Sequence, residues 1–394
     1  MKKVVLAYSG GLDTSVAVKW LCDKGYQVIA YMADIGQGSD VEKARKRGIK
    51  AGADEVIVED LRKEFVADFI APALKANAVY EGKYYLATAL SRPVIAKGLV
   101  KTAKAKGAQF VSHGCTGKGN DQVRFEVSIS ALDAGLKVIA PVREWEFSSR
   151  EAEIQYALAK NIPIDVTRKS PYSIDKNLWG ISIECGVLED PWTEPPKDVY
   201  QMTKDPSQAP RKPKYAVIGF EKGLPVSLDG KKMDRMAVIE KLNIAGGEYG
   251  IGRSDMVENR LVGIKSREIY EAPAAAILIA AHQALESMTL DRELAHYKQG
   301  VALKYAELIY YGLWYTPLRE ALDSFIDYTQ KYVTGNVRVK LEPGQVTIAG
   351  RQSPFSLYRK ELATYSEADK FDQSLARGFI ELWGLPYKKR KTSV

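Results

Sequence analysis

The sequence predicts an α/β protein. We expect a doubly wound parallel sheet within residues 1–167, an α+β domain over 168–360 and a C-terminal helix within 361–394. Short β-branched runs alternate with amphipathic stretches through the first part, which is the pattern of strand–helix–strand units. The alternation stops near Arg168, and six prolines follow between residues 186 and 215. Such a stretch is typical of an extended connector on a protein surface.

The elements of the first domain follow from their apolar spacing. Five short apolar runs are predicted to be buried strands: Val4–Tyr8, Val28–Met32, Glu55–Val58, Phe110–Ser112 and Val138–Pro141. Five segments between them have apolar residues at helical spacing: Thr14–Asp23, Val41–Ala51, Phe65–Asn77, Tyr85–Lys106 and Asp121–Ala134. Ligands of such sheets bind outside the carboxyl ends of the strands, so the loops at those ends are the places to search for a site.

Longer helices and two hairpins are predicted in the second domain. The hairpins pair Tyr215–Glu221 with Gly223–Ser227, and Val337–Leu341 with Gln345–Ala349. The helices are Ala274–Ser287, Asp291–Tyr311 and Pro317–Tyr332. Near the end, Ser366-x-x-Asp369 resembles a helix cap, and it precedes apolar residues that would share one side of a helix: Phe371, Leu375, Phe379, Leu382 and Trp383. We expect this helix to dock on another surface rather than to stand alone.

Charge and composition exclude several classes of protein. The chain has 57 basic and 49 acidic residues, a net charge of +8 that divides into +4, +3 and +1 over residues 1–165, 166–360 and 361–394. No domain is strongly basic, apart from the cluster at Lys388–Lys391, so a nucleic-acid partner is not expected. Three cysteines without a C-x-x-C pair favour a reducing cytoplasm over a disulfide framework. No apolar run is long enough to span a membrane, and we do not expect the short run after Met1 to be a signal peptide.

The strongest local signal is Ser9-Gly10-Gly11-Leu12-Asp13-Thr14-Ser15, placed between the first predicted strand and helix. Two glycines let a backbone approach a phosphate closely, and the helix start adds its positive dipole end. The same letters also occur in ordinary turns and helix starts, but the strand–loop–helix setting favours a phosphate site. This loop lacks the G-x-x-x-x-G-K-[ST] pattern of the kinase-type P-loop.

A second polar cluster, His113–Glu126, follows the fourth predicted strand and should lie at the same sheet edge. It contains three glycines and the cationic residues Lys118 and Arg124, which suit anions, although a solvated surface loop could have this composition too. Cys115 lies near His113, but nothing in the sequence orients a base toward a thiol, so a nucleophilic cysteine is not favoured.

Several ordered motifs resemble known proteins. The Ser9–Ser15 loop resembles the S-G-G-x-D-S motif of ATP pyrophosphatases, which release pyrophosphate whole from ATP. In addition, the following stretches together resemble the argininosuccinate synthase family: Ala7–Ser15, Ala33–Gln37, Ala78–Pro93, His113–Glu126, Ser170–Glu189, Gly252–Pro273, Lys304–Trp314 and Ser356–Leu362. The resemblance covers nearly the whole chain. It implies ATP-dependent joining of citrulline and aspartate through a citrullyl-adenylate, with release of AMP and pyrophosphate.

The resemblance also implies roles for individual residues. ATP would be bound by Ala7, Tyr8, Ser9, Gly10, Gly11, Leu12, Asp13, Thr14, Ser15, Ala33 and Gly114. Aspartate would be bound by Thr116, Asn120 and Asp121. Citrulline would be bound by Tyr84, Thr88, Asn120, Arg124, Ser173, Ser182, Glu258 and Tyr270. Two positions depart from the family pattern: Ala89 where relatives commonly have Ser, and Ala275 where they often have Gly.

The resemblance leaves the catalytic groups open. Asp13 and Asp121 are the candidates, and Asp13 could equally be an ordinary residue of a helix start. Mg²⁺ is expected to arrive with ATP rather than on protein side chains, and the family implies a homotetramer. Two alternatives of other kinds are a tRNA-modifying adenylating enzyme and a non-catalytic ATP-binding module. The even spread of charge and the long second region favour the synthase.

Overall fold

A computed structural model describes residues 1–38, 41–147, 149–163 and 172–388. The strands of the first part are β1 Lys2–Ala7, β2 Tyr26–Asp34, β3 Glu55–Asp60, β4 Phe110–Ser112 and β5 Lys137–Ile139. The helices are α1 Leu12–Asp23, α2 Val41–Ala51, α3 Arg62–Glu64, a π-helical turn Phe65–Ile70, α4 Ala71–Ala76, α5 Ala87–Lys106, α6 Asp121–Leu132, α7 Pro141–Glu144 and α8 Arg150–Ala159.

The five strands form one parallel sheet in the order β3-β2-β1-β4-β5. Successive side chains of β1 point to opposite faces: Val4 and Leu6 pack with helix α1, while Val5 packs in the core beside α5. Helices therefore cover both faces of the sheet, and the predicted doubly wound fold is confirmed. The sheet order makes β1 and β4 neighbours, so the loops after them emerge side by side.

The rest of the chain folds around two antiparallel sheets. Its strands are β6 Ser173–Asn177, β7 Gly180–Glu184, β8 Lys214–Glu221, β9 Leu224–Leu228, β10 Lys231–Lys232, β11 Arg253–Asn259, β12 Lys265–Glu271, β13 Gly335–Glu342 and β14 Gln345–Gln352. Its α-helices are α9 Arg235–Glu248, α10 Pro273–Thr289, α11 Arg292–Tyr310, α12 Pro317–Thr329, α13 Lys360–Ala363 and α14 Leu375–Trp383. Short 3₁₀ turns lie at Gly186–Glu189, Lys197–Val199, Pro206–Gln208, Gln330–Tyr332 and Leu385–Tyr387.

One sheet has the strand order β11-β12-β7-β6 and the other β10-β9-β8-β13-β14. Both predicted hairpins are present, in the second of these sheets. Helix α5 joins the two parts of the molecule, since it packs on β1 of the parallel sheet and on β6 and β7 of the first antiparallel sheet. A hydrogen bond from the Asn177 side chain to the Ala87 carbonyl (2.9 Å) and one from the Trp179 indole to the Tyr85 carbonyl (2.9 Å) fix this contact.

Two local predictions were wrong. The last helix begins at Leu375 rather than near Ser366, because Ser366 and Asp369 accept backbone N–H groups two residues ahead and so form tight turns. The segment with helical spacing over Phe65–Asn77 is helical, although its first part is a π-helical turn and it ends at a left-handed Asn77. Strand β5 ends at Ile139 because Pro141 opens helix α7. The proposed boundary at 167/168 and the basic residues 389–391 lie outside the described residues.

Lys298 and Glu286 form a buried ion pair in the second part of the chain. We expect removal of its cation to destabilise the protein strongly. Lys298 is 2% exposed, and its ammonium group contacts the Glu286 carboxylate (2.9 Å) and the Lys75 carbonyl (2.7 Å). Lys298→Met should lower the free energy of unfolding in urea by about 3–5 kcal/mol, because it leaves the buried Glu286 carboxylate without its ammonium partner. The exposed pair of Lys304 and Glu307 provides the control. If Lys304→Met were as costly, the effect would not come from burial.

Candidate functional site

One large cavity, about 770 Å³, opens where the carboxyl ends of β1 and β4 meet the first antiparallel sheet. Of the predicted site residues, all but Gly10 and Ser15 line it. The cavity therefore brings together side chains from both parts of the chain, from Ser9 near the start to Tyr270 on β12. Its volume lies within the range of small-molecule sites.

The predicted phosphate loop lines the part of this cavity where the nucleotide is predicted to bind. Gly10 has a positive φ of 80°, and a Cβ atom there would lie 2.7 Å from the Cβ of Ala44. The Ser9 hydroxyl is 3.1 Å from the Thr14 hydroxyl and accepts the Gly11 N–H (3.3 Å). These contacts fix the turn. Helix α1 then begins at Leu12, so its first N–H groups, which have no partner within the helix, lie beside the cavity.

Two predicted residues of the loop, Gly10 and Ser15, are buried and do not line the cavity. Ser15 is fully buried; its hydroxyl donates to the Gly11 carbonyl (2.7 Å) and lies 3.3 Å from the Tyr8 hydroxyl. Gly10 packs on Ala44, and its carbonyl accepts a hydrogen bond from Arg47. Both residues therefore hold the loop in shape.

The loop after β4 lies directly against the phosphate loop. A Cβ atom at Gly114 would be 3.0 Å from the Thr14 methyl group, so glycine allows the two loops to touch. The buried His113 accepts the Cys115 N–H at Nδ1 (3.2 Å), and its Nε2 faces Glu126 (3.2 Å). Both ring nitrogens of His113 are thus engaged. Burial raises the pKa of the Cys115 thiol, so the geometry favours a structural cysteine over a nucleophile.

The predicted aspartate-binding residues form a tightly bonded group at the start of α6. Asp121 accepts from Arg124 (2.8 Å) and from Arg92 (2.7 Å), one arginine on each carboxylate oxygen. Burial alone would raise the pKa of Asp121, but these two cationic neighbours lower it to about 2. The Asn120 side chain donates to the Tyr310 hydroxyl (2.8 Å) and accepts the Leu261 N–H (2.9 Å). The second part of the chain therefore orients this group.

Aromatic rings and Glu258 form the wall at the predicted citrulline end. Tyr84 stacks on Tyr270 with centroids 4.0 Å apart. The buried Glu258 carboxylate accepts from the hydroxyls of Tyr270 (2.6 Å) and Tyr310 (2.5 Å), while burial raises its pKa. The two predicted hydroxyls from different parts of the chain, Thr88 and Ser182, lie 2.9 Å apart. This end is therefore shaped for a ligand with both apolar and polar groups.

The two departures from the family pattern lie outside the cavity lining. Ala89 is buried in the first turn of α5, where its N–H donates to the Tyr84 hydroxyl (3.1 Å). Ala275 is buried in helix α10. Both alanines are therefore buried residues that do not contact a ligand in the cavity.

Sequence comparison places this arrangement in a known family. A family model of the Arginosuccinate synthase N-terminal HUP domain matches residues 3–163, and one of the Arginosuccinate synthase C-terminal domain matches residues 172–390. Argininosuccinate synthase of Gloeobacter violaceus is 59% identical over 387 residues, which are 98% of this chain and 97% of the relative. The chain belongs to the argininosuccinate synthase family.

Other members agree in length and sequence. Argininosuccinate synthase of Carboxydothermus hydrogenoformans is 57% identical over 390 residues, covering 99% of this chain and 97% of the relative. The protein of that name from Aquifex aeolicus is 56% identical over 389 residues, covering 98% and 97%. The chain is accordingly a ligase that joins citrulline to aspartate at the expense of ATP in arginine biosynthesis, and the tRNA-modifying alternative is not favoured. None of the helices in the described residues is long and apolar enough to cross a bilayer.

Sequence reasoning missed several charged residues of this synthase-family site. Arg92 on α5 pairs with both Asp121 and Asp175, and Asp175 lies on β6. Arg260 contacts Glu184 and Glu268 in the cavity wall, and burial raises the pKa of Glu268 well above its usual value. The available signal was the position of Arg92 in a largely apolar stretch, with Leu90 before it and Val94 after it. A charged residue in such a stretch must be buried with a partner when the helix packs.

Proposed function

We propose that ATP, citrulline and aspartate occupy successive parts of the one cavity. The triphosphate lies against the Ser9–Thr14 loop with the adenosine beside Ala33 and Gly114. Aspartate lies against Thr116, Asn120 and Asp121. Citrulline lies against the remaining lining residues predicted for it: Tyr84, Thr88, Arg124, Ser173, Ser182, Glu258 and Tyr270. The observation that carries this assignment is the shared cavity, which brings these groups from distant parts of the sequence together.

Citrulline reacts first in this arrangement. A ureido carbon is a poor electrophile because resonance spreads electron density onto it from two nitrogens. Attack of the ureido oxygen on the α-phosphate makes that oxygen part of a good leaving group and releases pyrophosphate. The helix α1 N-terminus and the loop N–H groups face the charge that develops on the departing diphosphate. The aspartate amine then displaces AMP.

Mg²⁺ completes the nucleotide site in this proposal. The oxygen-rich wall beside Ser9 and Asp13 fits a hard cation that arrives on the phosphates of ATP. When bound, the ion would neutralise phosphate charge. The protein groups named above bind and orient the phosphates, which is the larger part of what phosphoryl transfer requires.

The decisive experiment measures pyrophosphate release from ATP with each amino acid separately and with both together. We expect full release only when citrulline and aspartate are both present, with argininosuccinate formed in equal amount. Exchange of labelled pyrophosphate into ATP should need citrulline but not aspartate, because the adenylate forms first. Release that is independent of citrulline, or stimulated by tRNA, would overturn the proposal.

Glu258 provides a test of where citrulline binds. We expect Glu258→Gln to raise KM for citrulline about 30-fold with a smaller change in KM for ATP, since the carboxylate would bind the citrulline ammonium group and one such charged hydrogen bond contributes about 1.5–3 kcal/mol. Steady-state kinetics with each substrate varied in turn would measure this. Ser287→Ala, at an exposed serine of α10 outside the cavity, is the control. Equal increases in KM for ATP and citrulline would refute the placement.

We also propose that the protein is a cytoplasmic homotetramer without a nucleic-acid partner. The support for assembly is helix α14, whose apolar side chains are exposed: Phe379 is 60% and Trp383 63% exposed. Exposed apolar surface of this kind is typical of an interface. Absence of a strongly basic domain supports the lack of a nucleic-acid partner.

Removal of the chain after Thr364 should lower the native mass measured by light scattering, because it deletes α14. The double substitution Phe379→Ser with Trp383→Ser should have the same effect without shortening the chain. As a control, Arg377→Ala changes the polar side of the same helix and should leave the mass unchanged. An unchanged mass in both the truncated and the doubly substituted protein would contradict the assignment of α14 to the interface.

A further inference from the structure

The attack of aspartate on the citrullyl-adenylate requires a proton acceptor. None of the residues assigned so far has that role. Aspartate enters with its amino group as an ammonium ion, and the product carries that nitrogen as one N–H of a guanidinium ion. The nitrogen therefore gives up two protons. One must leave before the attack, because the nitrogen needs a free electron pair. The other leaves as the new carbon–nitrogen bond forms and the carbon–oxygen bond to AMP breaks, and the departing phosphate group can accept it.

Asp175 is a candidate acceptor for the first of these protons. It is on β6, directly opposite Ser182 of β7, and Ser182 is one of the residues proposed to bind citrulline. Through Arg92 it is joined to Asp121, which is proposed to bind aspartate. Asp175 therefore lies between the two proposed binding regions, at the wall of the cavity they share.

The environment of Asp175 suits a proton acceptor. Its side chain is 28% exposed, and its exposed surface faces the cavity that it lines. Arg92 on α5 contacts its Oδ2 atom, while Asp121 and Arg124 on α6 and the thiol of Cys115 are the other titratable groups that face it. Burial raises the pKa of Asp175 above that of an ordinary aspartate, although the charge of Arg92 opposes this. A carboxylate so placed holds a proton more readily than one in water.

The other carboxylates of the cavity are less suited to this role than Asp175, which Arg92 contacts at Oδ2. Both oxygens of Asp121 accept from arginines, which makes it a weak base. Both oxygens of Glu258 accept from tyrosine hydroxyls. Glu184 and Glu268 pair with Arg260, whereas the arginine partner of Asp175 also contacts Asp121 of the proposed aspartate site. Asp13 belongs to the predicted phosphate loop, in the first turn of α1.

We infer that Asp175 accepts the first proton from the aspartate ammonium group and so generates the amine that attacks the citrullyl-adenylate. The inference rests on the proposed function. Arg92 is the positioning residue in this scheme, since it holds Asp175 beside the aspartate site. After the reaction, the proton passes from Asp175 to solvent as the products leave the open cavity.

The Asp175→Asn variant should affect the second half-reaction, ligation, and not the first, adenylation of citrulline. Citrulline-dependent exchange of labelled pyrophosphate into ATP should stay within about threefold of the unaltered enzyme, whereas argininosuccinate formation should fall by about 100-fold or more. Hydroxylamine, an amine that is uncharged at neutral pH, needs no proton acceptor before it attacks. Its reaction with the adenylate should therefore continue in the variant. With aspartate, the rate of the variant should rise about tenfold per pH unit where the rate of the unaltered enzyme is level.

Asp323→Asn is the matched control. Asp323 is likewise a half-buried carboxylate with an arginine partner and a raised pKa, but it lies on α12 outside the cavity. It should leave both half-reactions unchanged. Loss of pyrophosphate exchange together with ligation in Asp175→Asn, or ligation at near-normal rate and pH dependence, would overturn the inference. Failure of the proposed function is distinguishable, because the unaltered enzyme would then show no citrulline-dependent exchange.

Discussion

Gly10→Ala should lower kcat/KM for ATP by about 100-fold. Gly10 has a left-handed backbone conformation that L side chains rarely adopt, and its new methyl group would lie 2.7 Å from Ala44. The loop must shift to accommodate it. Displacements near 1 Å at a positioned phosphate group cost a factor of this size. Steady-state kinetics with ATP as the varied substrate would measure the loss.

Gly25→Ala is the matched control for this substitution. Gly25 follows α1 with a similar φ of 85°, and nothing lies within 4 Å of the added methyl group. It should therefore carry the same backbone penalty, about 1–2 kcal/mol of stability, and leave kcat/KM within about twofold. If both variants lost activity equally, general destabilisation would explain the result, and the contact of Gly10 with Ala44 would not be responsible.

Arg92→Met should remove most of the ligase activity and lower the free energy of unfolding by about 3–5 kcal/mol. The side chain of Arg92 is 14% exposed, and its loss leaves Asp121 and Asp175 as neighbouring carboxylates without a shared cation. One of them must then take up a proton or move apart from the other. Urea unfolding at fixed protein concentration and an argininosuccinate assay would measure the two effects.

The acid stability of this variant provides a separate check. In the unaltered protein the pKa of Asp121 is about 2, below its value in an unfolded chain. The carboxylate therefore stabilises the fold above about pH 4 and loses that contribution as the pH falls toward 2. Arg92→Met should reduce this pH dependence. Arg62→Met removes an arginine from the exposed ion pair with Asp60 and should change stability only slightly, so a large effect there would argue against burial as the cause.

The parallel sheet could be predicted from the sequence because its strands are apolar on both faces. Val4, Val5 and Leu6 are all buried, so helices cover each side and the strand appears as a continuous apolar run. The phosphate loop was predictable for a related reason. Its glycines and hydroxyl residues follow the first of those runs without interruption, and backbone geometry, rather than distant contacts, sets its shape.

The first antiparallel sheet could not be predicted in the same way. Strand β6 has the sequence Ser-Ile-Asp-Lys-Asn and β11 has Arg-Ser-Asp-Met-Val-Glu-Asn, so neither has a clear apolar alternation. Their polar side chains, such as Asp175 and Glu258, face a cavity of other polar groups instead of solvent. Only tertiary structure supplies those partners. The part of the site that the sequence missed is therefore the part built from long-range charge pairs.

Helix α5 has a consequence for how the chain reaches its native state. The helix belongs to the first part of the sequence, yet β6 and β7 cover one of its sides. During synthesis α5 leaves the ribosome before Ser173–Glu184 is made. Throughout that interval Thr88 and Arg92 of α5 lack the partners that Ser182 and Asp175 later provide. Pauses in translation between residues 106 and 173 should therefore prolong the time for which this side of α5 is uncovered, and should increase the dependence of the nascent chain on chaperones.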